Sequence, residues 1–430
     1  MSLWFVLFGL FAVLLLIRVP LAFSLGIASL VTMAFAKMPL MTLAHTYYTA
    51  VDNFAFMAIP LFVFAGSLME QGGISQKLID VADIVLGRLV GGLGLVTIAT
   101  CMFFAAITGC GNTATAAVGA LMIPSMLRRN YDPGFSGALA AIGGTLGILI
   151  PPSIVLIVYG IIADLSIARL FLAGVVPGIL LGFVLMGIAF IIGVKRGYKG
   201  SETRFAVNNF ASSLYRAKWA LLAPVIILGG IYGGFITPTE SAVIAVLYAY
   251  LVGTFIHKEL SFQKFCECLR SSVAVTGVVG IIWGTALGFG QLIAILDIPQ
   301  SLSTAILGIS KNPIIILILI SAWTAFVGMW MNTMAQVLIL TPIYLAIIES
   351  AGIDPIAFGI IFVLNCEVGF VTPPLGTSLF IAMPIANVGL GRISYASLPF
   401  ILGVFIVIGI LILFPGLALW LPNLIMGTGG

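Results

Sequence analysis

The sequence predicts an all-α polytopic membrane protein made of inverted structural repeats, each holding a re-entrant helical hairpin and a broken transmembrane helix. Three observations carry that prediction. The first is composition: 61% of the 430 residues are hydrophobic and 7% are charged, more apolar surface than a globular core can hide but what a bilayer accepts. The second is one pattern written twice. Asn112-Thr113 and Asn332-Thr333 are each followed by a proline (Pro124, Pro342), by Asp-Pro (Asp132-Pro133, Asp354-Pro355), and by a Pro-Pro pair 18 residues beyond that proline (Pro133 to Pro151, Pro355 to Pro373). Pro177 and Pro399 keep the offset of 222 that separates Pro133 from Pro355. Broken apolar segments at matching positions of two halves point to secondary transport, because unwound backbone survives in a membrane only where it lines a site. The third is the placement of the basic residues, taken up after the spans.

Apolar stretches of roughly 20 residues, the length that spans a bilayer, fall near 3–17, 20–36, 54–70, 134–163, 170–194, 219–236, 241–256, 271–296, 355–387 and 398–425. Two further apolar regions, about 91–127 and 312–349, are each interrupted by a Gly- and Asn-bearing middle and read as hairpins that enter and leave by one face. The chain therefore divides into N-terminal scaffold helices (1–90), a first core of hairpin plus broken helix (91–194), a basic cytoplasmic linker (195–218), second scaffold helices (219–311), a second core (312–390) and a C-terminal scaffold helix (391–430). The N-terminus lacks a basic stretch and a small-residue cleavage site, so its first apolar run is a retained helix. Cys101, Cys110, Cys266, Cys268 and Cys366 lie in or beside apolar segments without CxxC spacing and read as small packing residues.

With ten spans, two hairpins and an external N-terminus, every Lys and Arg except Lys37, Arg169 and Lys311 falls on one face. Fifteen of the 18 on one side make that side cytoplasmic. Both termini are then periplasmic, in what reads as a bacterial inner membrane. The first hairpin, flanked by Arg88 and Arg128-Arg129, is cytoplasmic and the second, flanked by Lys311 and Glu349, is external, which is what inverts the repeats. The net charge of +4 follows from these loops beside anionic lipid and implies no nucleic-acid partner.

A dehydrated cation such as sodium needs several oxygen ligands, and a chain poor in carboxylates must take them from backbone carbonyls freed where helices break. The first candidate sodium site is Gly109, Cys110, Gly111 and Asn112 at one hairpin tip facing Gly147 and Ile150. The second is Gly328 and Asn332 facing Gly369 and Thr372. Proline leaves a carbonyl one turn earlier unpaired, and glycine allows the tight turn. Helices that start at the tips present free N–H groups and a positive dipole end, which suits the carboxylate of an organic acid. Candidate substrate contacts are Asn112, Thr113, Ser153, Asn332, Thr333 and Thr377; helix capping is the plainer role of Asn and Thr at such positions. Capping is also the first reading of Asp132, Asp354, Asp164 and Glu240 at span ends. Glu367 is the one carboxylate well inside a predicted span, where a charge costs roughly 2.5–3.5 kcal/mol. Three roles stay open for it: a proton relay, tuning of the second cation site, or a structural hydrogen bond.

Enzyme chemistry finds little footing. No Gly precedes any Lys, so there is no phosphate-binding GxxxxGK[ST] loop, and neither GxSxG nor HExxH occurs. His45 and His257 are the only histidines, on opposite predicted faces.

The run MIPSMLRRNYDPGFSGALAAIGGTLGILIPPSIVLIVYG at 122–160, with RVPLAFSLG at 18–26, AIPLFVFAGSLM at 58–69 and VTPPLGTSLF at 371–380, resembles the large membrane subunit of tripartite ATP-independent periplasmic (TRAP) transporters. The resemblance covers essentially the whole chain. It implies an elevator-type, sodium-coupled importer of organic acids such as C4-dicarboxylates or sialic acids, with two or more coupling sodium ions. It also implies two partners, a small four-helix membrane subunit, expected here as a separate polypeptide, and a periplasmic substrate-binding protein. At the first tip, where that family is commonly rich in serine, this chain has Thr108, Cys110, Gly111 and Asn112; at the second, where aspartate is common, it has Asn332. Backbone ligands at Gly147, Gly328, Gly369 and Thr372 are thus carried over more directly than side-chain ligands. The residues alone leave two other readings, a stand-alone sodium–carboxylate symporter and a passive channel or scaffold.

Overall fold

A computed structural model describes residues 3–200, 207–373 and 376–427, and these are helical with no strand. The first half runs α1 (Leu3–Leu16), α2 (Leu21–Phe35), α3 (Met41–Val51), α4 (Ala58–Gln71), α5 (Ile74–Leu86), α6 (Gly92–Thr108), α7 (Gly111–Arg128), α8 (Pro133–Gly143), a 3-10 segment (Gly144–Ile148), α9 (Ile154–Ile162) and α10 (Ile167–Lys195). The second runs α11 (Val207–Tyr232), α12 (Pro238–Leu251), α13 (Phe262–Ile295), α14 (Ile298–Ile309), α15 (Pro313–Gly328), α16 (Thr333–Ser350), α17 (Pro355–Phe370), α18 (Thr377–Ala386), α19 (Leu390–Leu413) and α20 (Gly416–Met426).

One local rule sets many of these starts. Asp132-Pro133, Thr237-Pro238, Asn312-Pro313 and Asp354-Pro355 each place an oxygen side chain at the N-cap and a proline at the first helical position, where its missing N–H costs nothing. Asp132 accepts from the Phe135 N–H, Asp354 from those of Ile356 and Ala357, and Glu240 closes a capping box with Thr237. Asp164, also expected to cap, instead sits at φ 52° between α9 and α10, and Ser166 caps α10. Asp132 also ties three helices together, because its carboxylate pairs with Arg392 at the start of α19 and Arg196 at the end of α10. Burial pushes this carboxyl up, but the Arg392 hydrogen bond, the Phe135 N–H and the two arginine charges hold it below the usual carboxylate range.

The ten expected spans are not ten long helices. Among the described residues seven helices are long and apolar enough to cross a membrane, or eight if α14 and α15, bent by 120°, count as one. The first two expected spans are helices of 14 and 15 residues, short of a hydrocarbon core of about 30 Å at about 1.5 Å per residue. The tenth, 398–425, is interrupted at Phe414 and Pro415, which separate α19 from α20. The spans at 134–163 and 355–387 break as expected, into α8 and α9 and into α17 and α18. Residues 207–218 of the expected linker belong to α11, while 201–206 lie outside the described residues. Helices α3, α5 and α14 had no place in a reading built on length. Helix α5 is amphipathic, burying Leu78, Ile79 and Ala82 and leaving Asp80 exposed, and it packs on α6 and α11.

Helices α8 and α17 form the centre. Every residue of α8 from Gly134 to Gly143, and of α17 from Ile356 to Phe370, is buried. In α8 the small residues Gly134, Ser136, Gly137, Ala138, Ala140 and Ala141 let neighbours approach closely. Around this centre α6 and α7 pack on α8, α15 and α16 on α17, α18 on α7 and α8, and α9 on α16. A second body is made by α2 on α13, α4 on α12 and α13, and α11 on α12. The two bodies meet along α4 with α6 and α13 with α16.

Candidate functional site

The chain reverses at Gly109 and Cys110 between α6 and α7. Gly109 takes the left-handed φ of 60°, its carbonyl accepts from the Ile154 N–H at 3.4 Å, and a Cβ there would overlap the Pro152 carbonyl oxygen, so only glycine fits. Cys110 is the N-cap of α7 without a side-chain cap bond. From there the tip lies glycine to glycine on the 3-10 segment. A Cβ on Gly147 would stand 3.0 Å from the Cys110 carbonyl carbon and oxygen, and one on Gly111 would stand 2.8 Å from the Gly144 carbonyl oxygen. The tip and interruption predicted from sequence, Gly109–Asn112 and Gly147, thus meet. Ile150, at the same interruption, packs its side chain against Gly178 of α10.

The second reversal follows Gly328. Asn332 caps α16 by accepting from the N–H groups of Met334 and Ala335, so its oxygen is committed to its own helix. Gly328 lies against Gly369 so closely that a Cβ on Gly369 would overlap the Gly328 carbonyl carbon and oxygen. The Thr372 hydroxyl donates to the Val368 carbonyl. Pro374, part of the predicted Pro-Pro break, lies outside the described residues.

Hydrogen bonds tie the second tip to its own broken helix and the first tip to the opposite one. The Thr333 hydroxyl donates to Glu367 Oε1 at 2.9 Å, and the Ser378 hydroxyl of α18 donates to Asn112 Oδ1 of α7 at 3.2 Å. Glu367 is 2% exposed, and its Oε2 has no hydrogen-bond partner. Gln336 Oε1 and Asn365 Oδ1 are likewise buried acceptors without a partner, although Gln336 donates to the Met331 carbonyl and Asn365 to the Ser321 hydroxyl. The region is rich in oxygen and poor in positive charge. Among the described residues no group of three or more His, Cys, Asp or Glu gathers, so a cation here would rest on carbonyl and hydroxyl oxygens.

The predicted substrate contacts separate by exposure. Thr377 is exposed at the start of α18, whose N-cap Gly376 makes no side-chain bond, and Asn112 and Thr113 are half-buried at the start of α7. Ser153 is buried and caps α9 through the Leu156 N–H, and Thr333 is buried on Glu367. Sequence reasoning missed Gly144, Thr115, Gln336 and Ser378. The Gly143-Gly144 pair just before the break was a readable signal for the first; the others become visible only when distant helices are brought together. A cavity of about 430 Å³ lies where α3 and α13 face α9 and α16, lined by Thr46, Thr49, Asn53 and Gln291 among apolar side chains.

Residues 8–417 match the family model described as "Tripartite ATP-independent periplasmic transporter, DctM component". The isethionate TRAP transporter permease protein DctMQ of Oleidesulfovibrio alaskensis is 43% identical over 397 residues, covering 92% of this chain, which spans 62% of that longer protein. The C4-dicarboxylate TRAP transporter large permease protein DctM of Pseudomonas aeruginosa is 36% identical over 402 residues, covering 93% of this chain and 94% of its own. Among solved structures the YdaH transporter of Alcanivorax borkumensis shares the fold, with a TM-score of 0.62 over 89% of this chain and 90% of its own at 16% identity.

Proposed function

This chain belongs to the DctM-component family of tripartite ATP-independent periplasmic transporters, and from that premise we propose that it carries a small organic acid inward across the bacterial inner membrane, driven by sodium. The reading rests on one observation: at each tip a helix end is pressed, glycine to glycine, against the break of a following helix, with Gly111 on Gly144 and Gly328 on Gly369. Such contacts turn carbonyl oxygens toward a shared space without a basic side chain, which suits a desolvated monovalent cation. Two sodium ions are the cargo of these two places. The anion is received at the uncapped starts of α7 and α18, which Asn112 and Ser378 hold together; free N–H groups and two dipole ends supply its counter-charge.

The recurring order of hairpin, broken helix and long helix (α6 to α10, α15 to α19) supports inverted repeats. The body around α8 and α17 would move as an elevator against the body of α2, α4, α12 and α13, with the cavity at α3 and α13 on the seam. The substrate is of the sialic acid or C4-dicarboxylate class, delivered by a periplasmic binding protein, with a small membrane subunit as the third component. The fifteen-to-three basic asymmetry orients the assembly. Cysteines placed at the exposed Lys311 and Arg129 in a cysteine-depleted protein are expected to react with an impermeant reagent from the periplasm and the cytoplasm respectively. Reaction of both from one side would contradict the inverted arrangement.

Proteoliposomes test the function. With both partners present, uptake of candidate acids is expected under an inward sodium gradient and not when choline replaces sodium. Undiminished uptake in choline under a proton gradient would make proton coupling the better account. Uptake without any binding protein would instead identify a self-sufficient symporter.

A further inference from the structure

We propose that Glu367 joins the two cation sites: its Oε2 serves the cation at the first tip while Thr333 holds its Oε1 at the second, so that the two sodium ions load cooperatively. This rests on the sodium-coupled reading above and names a coupling element within it. A Cβ placed on Gly111 would stand 3.2 Å from Glu367 Oε2 and 2.8 Å from the Gly144 carbonyl oxygen, so both atoms border one small space beside Gly111. A Cβ on Gly144 would meet the Thr115 hydroxyl and, at 2.7 Å, the Gly111 carbonyl oxygen. Two oxygens thus border the position beside Gly111 and two more the facing position beside Gly144, and one of the first pair is a carboxylate oxygen that is buried and unpartnered.

Nothing in the surrounding helices neutralises that carboxylate. Helices α7, α9, α15, α16, α17, α18 and α20 hold no Lys or Arg apart from Arg128 at the end of α7, and Arg169, Lys195 and Arg392 occupy the outermost turns of α10 and α19. The other titratable groups those helices bring, Tyr159, Tyr344, Glu349, Cys366 and Tyr395, carry no positive charge. A buried carboxylate without a positive partner is strongly unfavourable, and a cation beside Gly111 supplies the partner. Its other oxygen is fixed by Thr333, the first residue of the helix that starts at the second tip. Filling either site therefore orders the carboxylate that the other needs, which is positive coupling between sites.

The assembled complex, purified and reconstituted, provides the test. Wild type is expected to show sodium-dependent thermal stabilisation without substrate and a Hill coefficient for sodium approaching 2. Glu367→Gln preserves shape and the Thr333 bond but removes the charge. It is expected to raise the sodium concentration at half-effect at least about tenfold, as cation affinity follows ligand charge, and to lower the Hill coefficient to about 1. Thr333→Val is expected to lower the Hill coefficient with a smaller change in half-effect. A Glu367→Gln protein indistinguishable from wild type in both quantities overturns the inference. If that variant does not assemble, Glu367→Asp, which keeps the charge but retracts it by one methylene, decides: a Hill coefficient near 1 supports the coupling and one near 2 overturns it. Wild type that shows no sodium effect at all would remove the sodium-coupled reading itself, a distinct result.

Discussion

Gly369→Ala is expected to cut sodium-driven uptake by on the order of a hundredfold, the consequence of about 3 kcal/mol of overpacking at the site, while Gly328→Ala keeps most of it. The two glycines touch, yet they are not equivalent. A methyl on Gly369 overlaps the carbonyl carbon and oxygen of Gly328, which are backbone atoms at the end of α15 and cannot turn aside. A methyl on Gly328 meets the Gly369 Cα at 3.1 Å and the Cys366 carbonyl oxygen at 3.3 Å, a misfit that shifts of a few tenths of an ångström relieve. Alanine at Gly369 is therefore expected to separate the hairpin tip from the break of α17 and to pull apart the oxygens proposed to face the ion. Gly409→Ala is the control, since a Cβ there meets nothing within 4 Å. The measurements are initial uptake rates and sodium-dependent thermal stabilisation of the assembled complex. Loss of both in Gly369→Ala with retained assembly places the defect at the cation site. A Gly369→Ala protein that transports like wild type would remove the backbone contact from the mechanism.

Much of this architecture is legible in the chain because its signals are local. Asx-Pro and Thr-Pro starts fix α8, α12, α15 and α17 through atoms within three residues of each other. The tips at Gly109 and Gly328, and the breaks they face at Gly147 and Gly369, were readable because glycine and proline at matched positions state where backbone must bend. What a length criterion hides is any helix too short to span: α3, α5 and α14 follow the turns between spans, and α1 and α2 are shorter than their apolar runs suggested. The site shows the same limit in its side chains. Asn332 and Asn112 stand in the same Asn-Thr pair, but the first turns its oxygen onto its own helix and the second receives Ser378 from 266 residues away. Glu367 was visible as an isolated charge. Its position between Thr333 and Gly111 depends on how α17 packs against the 3-10 segment, which no local pattern encodes.

Uptake of a monoanionic acid is expected to respond steeply to membrane potential. Two sodium ions with one such anion move one net positive charge inward, which gains about 2.3 kcal/mol per 100 mV of inside-negative potential and raises the attainable accumulation roughly 50-fold. Fixed charges do not enter this balance. On the proposed elevator, Glu367 would travel with the moving body in one half of the cycle and return in the other, so only the cargo would count. A single substrate charge is the expectation from the receiving end of the proposed site: Asn112, Thr113, Ser378 and Thr377 at the starts of α7 and α18 are uncharged, and the first turns of both helices contain no Lys or Arg to neutralise a second carboxylate. Imposing the potential with potassium and valinomycin at constant sodium gradient should therefore accelerate uptake of a sialic acid. A C4-dicarboxylate dianion, if carried with the same two ions, should be indifferent to it. Potential-independent uptake of a monoanion would mean that one of the two tips does not couple its cation to transport. Because each tip has its own glycine contact, pairing this assay with Gly369→Ala and with the corresponding change at Gly144 identifies which one.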